Sequence, residues 1–297
     1  MIKTHLKNQF KKYNETRDYL LENPDILIRL EKYCSDKVFE ILHTHEAIII
    51  RDYNEASFLY PFWKNYPPDE RGRQPRGDQF PWIEVGEHTI GVKVAREIVN
   101  LFQEVRDTGL PTGPDQRFII ADPEIKKITK GLTSHAWLMI DIKSVGPRDD
   151  FSHTVMSHNQ VSGDGIWRKE EAGIKNRVLK ATGARSKHNF YPTLSPLYVL
   201  SDGAIAPTVL LAIKPIYKML ALDGNGKVGQ PLVRIELISI PNGLLLLKKP
   251  NYLKKYPGLF YPGKDDKEKN PLKVRARISF SILKSIAEWR VRILEVK

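Results

Sequence analysis

The run WLMIDIK at residues 137–143 constrains the fold most strongly, because it places two charges at the end of an apolar stretch. Side chains of a β-strand alternate between its two faces, so Leu138 and Ile140 are predicted to point into a core. Asp141 and Lys143 then share the opposite face, about 7 Å apart along the strand. Opposite charges placed in this way can hold a water molecule or a phosphate oxygen between them.

A second carboxylate, Asp115, follows Pro114 in a predicted turn and precedes Asp141 by 26 positions. A hairpin-like return of the chain would bring the two carboxylates together. Converging carboxylates hold Mg²⁺, which takes oxygen ligands, and a lysine beside them orients the attacking water and neutralises negative charge. Glu87, just before a predicted helix, is a further candidate carboxylate. Together these groups are suited to phosphodiester hydrolysis.

The alternative explanation for Asp141 and Lys143 is a surface ion pair on an edge strand, where charges discourage aggregation. The strand alone favours this alternative. The preceding Pro114-Asp115, the basic composition and the lack of a nucleotide-binding motif in the sequence favour a nuclease instead.

A chain of 297 residues is long enough for one elaborate domain or for two closely joined ones. Its 47 Lys and Arg residues against 35 Asp and Glu give a net charge of +12, which favours nucleic acid or an anionic membrane surface as a partner. The sequence has neither a membrane-length apolar run nor a signal-peptide pattern, so we expect a cytoplasmic protein. A single cysteine, Cys34, excludes an internal disulfide framework and a multi-cysteine zinc site, and it is predicted to be buried.

Helices are predicted to open the chain, and strands to dominate its second half. The first 45 residues have helical apolar spacing, and Asn23 is a candidate N-cap for a helix that begins at Pro24. Residues 57–82, rich in Pro, Gly, Arg and aromatic residues, predict an irregular loop that is either solvated or follows a phosphate backbone. Residues 89–105 predict another helix.

After residue 150 the pattern is mainly that of strands, with no internal repeat. The predicted strands are PLYVLS, TVLLAIKPIYKML, LVRIELISI, KVRARISF and WRVRILEV, and the predicted turns are Asp202-Gly203, Asn225-Gly226 and Asn242-Gly243. The fold class is therefore mixed α/β with a large sheet.

Three sequence patterns resemble ligand-binding motifs but are better explained by local structure. The spelling GNGKVG at residues 224–229 matches a dinucleotide-binding loop, but a β-rich run follows where a helix is needed, so a hairpin turn is predicted. The neighbouring DGNG lacks the ligand spacing of a calcium loop. His43 and His45 would point apart on a helix, so no histidine metal site is predicted.

Longer strings identify a resemblance that covers most of the chain from about residue 52 to 277. They are DYNEASFLYPFWKNYPP, RGDQFPWIEVGE, GLPTGPD, DIKSVGPRD, NQVSG, PLYVLSDGAIAP, IKPIY and PGKDD. With the motif PD followed by DIK, the sequence resembles the PD-(D/E)XK nucleases and, among them, the type II restriction endonucleases. The three-residue motif is weakly specific, whereas the longer strings are highly specific.

The resemblance implies a restriction-endonuclease-like α/β fold with a mixed central β-sheet flanked by helices. It implies one endonuclease domain over residues 1–297, with an N-terminal helical region (about 1–50) and a C-terminal β-rich DNA-recognition part (about 190–297). It further implies a prokaryotic homodimer that cuts both strands of GCCNNNNNGGC with Mg²⁺. A cognate DNA methyltransferase is expected in the same system.

The resemblance also assigns residues. Asp115, Asp141 and the backbone carbonyl of Ile142 are implied as metal ligands, with Lys143 as the water-orienting residue and Glu87 as an auxiliary carboxylate. The implied base-recognition residues are Asp149, with the adjacent Asp150 as an ambiguity of register, and Lys264, Asp266, Arg275 and Arg277.

Arg275 and Arg277 stand at i and i+2, so on a strand they would reach out from one face. The alternatives are a structure-specific DNA repair nuclease of the same fold and a DNA-binding protein without catalysis.

Overall fold

The protein was analysed as a computed structural model, in which not every residue is described. The described residues are 2–59, 85–110, 112–145, 151–170, 173–218, 221–222, 228–263 and 271–296. The predicted loop at 57–82 lies outside them except for its first residues.

Three helices open the chain: α1 (Ile2–Glu22), α2 (Pro24–Thr44) and α3 (Glu46–Phe58). The predicted N-terminal helical region is confirmed, and it extends beyond residue 50, since the start of the predicted loop belongs to α3. Pro24 occupies the first turn of α2 as expected. The Asn23 side chain does not cap α2 but donates its amide to the Tyr19 carbonyl oxygen at 3.0 Å, so the predicted cap is wrong.

The helix predicted at 89–105 is shorter than expected and begins with a π-helical turn. The turn spans Glu87–Gly91, and α4 continues it over Val92–Leu101. Beyond Phe102, whose backbone is extended, the chain forms strand β1 (Glu104–Asp107) and pairs antiparallel with β2 (Gln116–Ala121). Ladder hydrogen bonds to β2 outweigh the helical apolar spacing there, which is a tertiary effect.

The remaining elements alternate short helices with strands. In chain order they are α5 (Pro123–Ile128), β3 (His135–Ile142), β4 (His153–Met156), β5 (Leu179–Thr182), β6 (Lys187–Phe190), β7 (Leu197–Val199), β8 (Ile205–Tyr217), β9 (Ala221–Leu222), β10 (Val228–Gly229), β11 (Leu232–Ile240), α6 (Gly243–Leu247), α7 (Tyr252–Lys255), β12 (Phe260–Tyr261), β13 (Ala276–Ser279), α8 (Phe280–Ile286) and β14 (Val291–Glu295).

A seven-stranded mixed sheet organises these elements, with the order β1-β2-β3-β8-β11-β14 and β7 alongside the start of β8. The pair β3–β8 is parallel, and the other pairs are antiparallel. A second sheet has the order β12-β13-β4. The predicted mixed α/β fold with a central sheet flanked by helices is thus confirmed.

The central sheet is buried on both faces. One face packs against α2, α3 and α4 through residues such as Leu138 and Ile140 of β3. The other face, with Trp137 and Met139, packs under the layer that contains β4, β12 and β13. Strands covered on both sides read as continuous apolar runs, which is the pattern of β3 and β8.

Two predicted turns have different outcomes. The turn predicted at Asn225-Gly226 lies outside the described residues, whereas Leu222 and Val228 on either side of it pair in an antiparallel register. Asn242-Gly243 is not a hairpin turn, so that prediction is wrong. Asn242 caps α6 by accepting a hydrogen bond from Leu244 N at 3.0 Å, and its own amide bonds two buried carbonyls.

Cys34, a residue of α2, is buried in the hydrophobic core, as predicted. Among the described helices, none has the length and apolar character needed to cross a membrane.

Candidate active site

The pairing of β2 with β3 brings the two predicted carboxylates to one place. Gln116 is the first residue of β2 and lies opposite Ile140, so one step further along this antiparallel register places Asp115 beside Asp141. The Asp115 Oδ2 atom accepts a hydrogen bond from the backbone N–H of Ile142 at 2.7 Å. The hairpin-like return inferred from spacing is therefore present, and Asp115 is tied to the strand that carries its partner.

Asp141 and Lys143 form an ion pair at the boundary between core and solvent. The Lys143 Nζ atom lies 2.8 Å from Asp141 Oδ2, and the Lys143 side chain is 27% exposed while that of Asp141 is fully buried. The strand β3 lies between β2 and β8, and Lys143 N donates to the Ile213 carbonyl of β8 at 2.8 Å. The alternative of a surface pair on an edge strand is therefore wrong.

The π-helical turn places Glu87 against the same edge of the sheet. A Cβ atom on Gly86 would lie 2.4 Å from Ser144 Oγ and 2.8 Å from Pro215 Cγ, so only glycine permits this approach. The Gln116 amide fastens the turn to β2 by donating to the Gly91 carbonyl at 2.5 Å. π-Helical turns are frequent at functional sites, and here the turn carries a predicted site residue.

Burial raises the pKa of the Asp141 carboxyl to about 7. The Lys143 ammonium lowers this pKa, whereas the nearby negative charges of Asp115 and Glu87 raise it further. Two other carboxylates and one lysine thus influence a single buried group. A carboxyl with such a shift titrates near neutral pH, which is typical of functional sites.

The donor atoms fit a hard divalent cation in part. Asp141 Oδ2 is buried and accepts no hydrogen bond of ordinary geometry among the described side chains, although Lys143 faces it. Within the described ranges, no three His, Cys, Asp or Glu side chains are grouped closely enough to hold a metal on their own. Mg²⁺ is commonly held by one or two carboxylates with water and substrate phosphate oxygens, so Asp115, Asp141 and the Ile142 carbonyl suit it.

The predicted base-recognition residues divide into two groups. Asp149, with its neighbour Asp150, and Lys264 and Asp266 lie outside the described residues. Arg275 directly precedes β13 and Arg277 lies in it, and both are more exposed than the buried Ala276 between them. The expectation that Arg275 and Arg277 project from one face is therefore met.

A cavity of about 230 Å³ extends from Lys143 to the second sheet. Its lining includes Lys143, Lys214, Arg277 and His153. Lys214 is 1% exposed, and its ammonium donates to the His153 carbonyl at 2.7 Å and lies 3.7 Å from Glu236 Oε2. Basic groups around a cavity that reaches Lys143, the partner of Asp141, suit a phosphate-containing ligand.

The residue-by-residue reading of the sequence missed Gln160 and Lys214. Gln160 Nε2 donates to Asp141 Oδ1 at 2.5 Å across 19 positions of sequence. The spacing Ser157-x-x-Gln160 is a capping box, and this signal could have located the turn but not its partner. Lys214, in the run IKPIY, gave no sign of facing the site, because alternation alone does not reveal which strand becomes the neighbour of β3.

The site combines two carboxylates and a lysine at the ends of neighbouring strands with a basic cavity beside them. This arrangement is typical of a nuclease, which hydrolyses phosphodiester bonds. Comparison with known proteins identifies the family. The family model "Restriction endonuclease BglI" matches residues 8–294, and the chain belongs to this family of type II restriction endonucleases.

A sequence comparison and a structural comparison, both with BglI, support this assignment over nearly the whole chain. The chain is 47% identical over 290 residues to the type II restriction enzyme BglI of Bacillus subtilis, covering 96% of each sequence. It superposes on the crystal structure of BglI bound to its DNA recognition sequence with a TM-score of 0.89, 46% identity and 99% coverage of both chains.

A more distant likeness extends the fold comparison. The tetrameric restriction endonuclease SfiI, solved with cognate DNA, gives a TM-score of 0.60 at 14% identity, covering 91% of this chain and 85% of that one. At this identity the likeness concerns the fold alone.

Proposed function

We propose that this protein is a Mg²⁺-dependent type II restriction endonuclease that binds double-stranded DNA as a homodimer and cuts both strands at GCCNNNNNGGC. The observation that carries the proposal is the convergence of Asp115, Asp141 and Lys143 in a chain of the BglI family. The crystal structure of BglI, which contains its DNA recognition sequence, supports DNA as the partner.

In this mechanism Asp115, Asp141 and the Ile142 carbonyl would hold the cation. When bound, Mg²⁺ polarises a phosphate oxygen and lowers the pKa of a water molecule. Lys143 orients the attacking water and offsets the negative charge that develops on the phosphate. Glu87, held beside the strand ends by the close packing of Gly86, contributes an auxiliary negative charge.

Water adds to phosphorus while an ester oxygen leaves, so the phosphodiester becomes a phosphomonoester and an alcohol. The Lys143–Asp141 ion pair keeps the lysine within reach of the cation site before substrate binds. Burial of Asp141 excludes bulk water from one side of the reacting groups, which strengthens the electrostatic interactions there.

Sequence specificity in this proposal comes from Asp149, Lys264, Asp266, Arg275 and Arg277. Arginine reaches the guanine O6 and N7 acceptors in the major groove, and aspartate accepts from the cytosine amino group, which suits G·C-rich half-sites. A palindromic site is matched by a two-fold symmetric enzyme, which supports a homodimer. A cognate methyltransferase would protect host DNA, and a bacterial cytoplasm remains the expected location.

The deciding experiment incubates plasmid DNA with the purified protein and Mg²⁺ and sequences the ends produced. Discrete double-strand cuts at GCCNNNNNGGC are expected, and Asp141→Ala should abolish them. Cuts without a fixed sequence would favour a structure-specific repair nuclease of the same fold. No cutting, or equal cutting by wild type and Asp141→Ala, would overturn the proposal.

The variant Asp115→Asn distinguishes an endonuclease from a DNA-binding protein without catalysis. Removing a negative charge near phosphates should strengthen metal-free DNA binding in either case. In an endonuclease the same change also removes cleavage, whereas a pure binder has no cleavage to lose. Binding is measured by a gel shift with and without metal, alongside the plasmid assay.

A further inference from the structure

Gln160 gives the two oxygens of Asp141 different partners. Its Nε2 atom donates to Oδ1 at 2.5 Å, while the Lys143 ammonium lies 2.8 Å from Oδ2. Gln160 is 9% exposed and Asp141 is fully buried. A neutral amide on one oxygen and an ammonium on the other fix the plane of the carboxylate.

The orientation of the Gln160 amide is itself determined by a capping box. Its Oε1 atom accepts a hydrogen bond from Ser157 N at 2.9 Å, and the Ser157 side chain accepts in return from the Gln160 backbone. The Gln160 backbone N–H also donates to the Ser157 carbonyl at 3.0 Å. Rotating the amide by 180° would place its oxygen against the carboxylate, so the donor must face Asp141.

This turn begins where the second sheet ends. β4 finishes at Met156, the residue before Ser157, and β4 pairs with β13, where Val155 lies opposite Arg277. Three links therefore connect β13, which carries a proposed base-recognition residue, with the amide that holds Asp141. They are the pairing of β13 with β4, the chain from β4 to Ser157, and the hydrogen bond from Ser157 N to the Gln160 amide oxygen.

We propose that Gln160 is a positioning residue that holds Asp141 so that its Oδ2 atom faces the divalent cation, and that it links the placement of β4 and β13 to metal binding. This inference rests on the proposed function. Without the amide, both oxygens of the buried carboxylate become available to Lys143, and the cation has to displace a stronger ion pair. Partners of this kind, one step removed from the metal, typically change metal affinity by about 10- to 100-fold.

The test uses Gln160→Met, which removes the donor and nearly preserves side-chain volume. We expect the Mg²⁺ concentration for half-maximal cleavage to rise about tenfold or more, with the rate at saturating Mg²⁺ changed far less. Mn²⁺ binding to the DNA-free protein, measured by electron paramagnetic resonance, should weaken by a similar factor. DNA affinity in EDTA should stay unchanged.

The matched control is Asn159→Met, which removes a neighbouring amide of the same turn. Asn159 is half-buried and donates to Thr112 Oγ1 at 3.0 Å rather than to a carboxylate, so its loss should leave both metal measurements unchanged. Equal effects of the two variants would mean that the turn is merely structural and would overturn the inference.

Two other outcomes also decide the question. Unchanged Mg²⁺ dependence and Mn²⁺ binding in Gln160→Met would refute a positioning role, as would a slower maximal rate that added metal does not rescue. If the wild-type protein cuts no DNA, the proposed function fails, but the Mn²⁺ comparison still determines whether Gln160 supports metal binding.

Discussion

The Lys143 ammonium lies 2.8 Å from Asp141 Oδ2, and the pair joins a fully buried carboxylate to a partly exposed amine. In the proposed mechanism this relationship couples protonation, metal binding and stability in one place. Without metal, the Lys143 ammonium lowers the pKa of the Asp141 carboxyl and burial raises it. Burial has the larger effect, so the pKa is raised to about 7. A cation that binds as proposed would then have to displace a proton near neutral pH.

Metal dependence should therefore change with pH. Below about pH 7 the Asp141 carboxyl is largely protonated, so we expect the half-saturating Mg²⁺ concentration for cleavage to rise as pH falls, approaching tenfold per unit. Above about pH 8 it should level off. Single-turnover cleavage at a series of Mg²⁺ concentrations between about pH 5.5 and about pH 8.5, roughly 1.5 units on either side of this pKa, provides the measurement. A half-saturating concentration independent of pH would contradict it.

Asp141→Asn should stabilise the metal-free protein above neutral pH. The folded-state pKa of Asp141 is raised above its unfolded value, so its ionisation costs folding free energy progressively between about pH 4 and pH 7. Asparagine removes that cost, and we expect a gain on the order of 1 to 3 kcal/mol at pH 8 and little gain at pH 4.

Urea denaturation at both pH values, in EDTA, measures this gain. Added Mg²⁺ should raise the stability of the wild type but not that of Asp141→Asn. A variant that is less stable than the wild type at pH 8 would show that the buried charge is not a cost.

Gly86→Ala should impair cleavage through the position of Glu87. The new methyl group would lie within 3 Å of both Ser144 and Pro215, so the π-helical turn must move away from the strand ends. We expect cleavage at saturating Mg²⁺ to fall at least about tenfold, given the sensitivity of catalysis to misplacements of about 1 Å.

Gly109→Ala is the matched control, since nothing lies within 4 Å of its Cβ position. DNA binding in EDTA should be retained by both variants. Normal cleavage by Gly86→Ala would mean that the close approach of this turn is not required for the chemistry.

Arg277→Ala and Arg275→Ala should each weaken binding selectively at one base pair, by about 1 to 3 kcal/mol. A lost phosphate contact would instead weaken all sequences alike and reduce the salt dependence of binding. Competition binding against oligonucleotides with single substitutions in each half-site distinguishes a lost base contact from a lost phosphate contact. Lys127→Ala on α5 removes the same charge outside the β4-β12-β13 sheet and should leave the preference intact.

The buried pair of Glu31 and Arg290 should be required for stability. Arg290 donates to Glu31 Oε2 at 2.7 Å, joining α2 to the segment before β14, and neither side chain is more than 1% exposed. We expect Arg290→Met to cost about 3 to 5 kcal/mol by leaving a buried charge unpaired. The cost should be smaller at pH 5 than at pH 8, because burial already raises the pKa of Glu31 and protonation relieves the charge.

Urea unfolding of Arg290→Met measures this cost. Lys11→Met serves as the control, because it breaks the exposed pair with Glu15 at 3.8 Å, and its effect should stay within about 1 kcal/mol. Similar losses for both variants would contradict the importance of burial.

Much of the site followed from local sequence. The alternation in WLMIDIK placed Asp141 and Lys143 on one side of a strand, and the spacing from Pro114-Asp115 implied the antiparallel return that the structure contains. The chain could not reveal that β8 would cover the other edge of β3, because this parallel partner is distant in sequence. The choice between an edge strand and a central strand therefore had to wait for the fold.

The incorrect predictions also arise from contacts between residues that are distant in sequence. The helix predicted at 89–105 included residues 104 and 105, but β2 offers these residues backbone hydrogen bonds. Asn242-Gly243 has the composition of a hairpin, but its side-chain oxygen caps α6 and its amide satisfies two buried carbonyls. Gln160 looked like an ordinary polar residue, since its partner lies across 19 positions. In each case a long-range contact overrides a local preference.

The parallel pairing of β3 with β8 has a consequence for biosynthesis. Trp137 lies opposite Thr208, so a ribosome must add some 70 further residues before the strand bearing Asp141 gains its neighbour on that side. Until β8 is synthesised, β3 can pair only with β2, so a nascent chain that ends before residue 205 presents Asp141 and Lys143 on a strand with one unpaired edge.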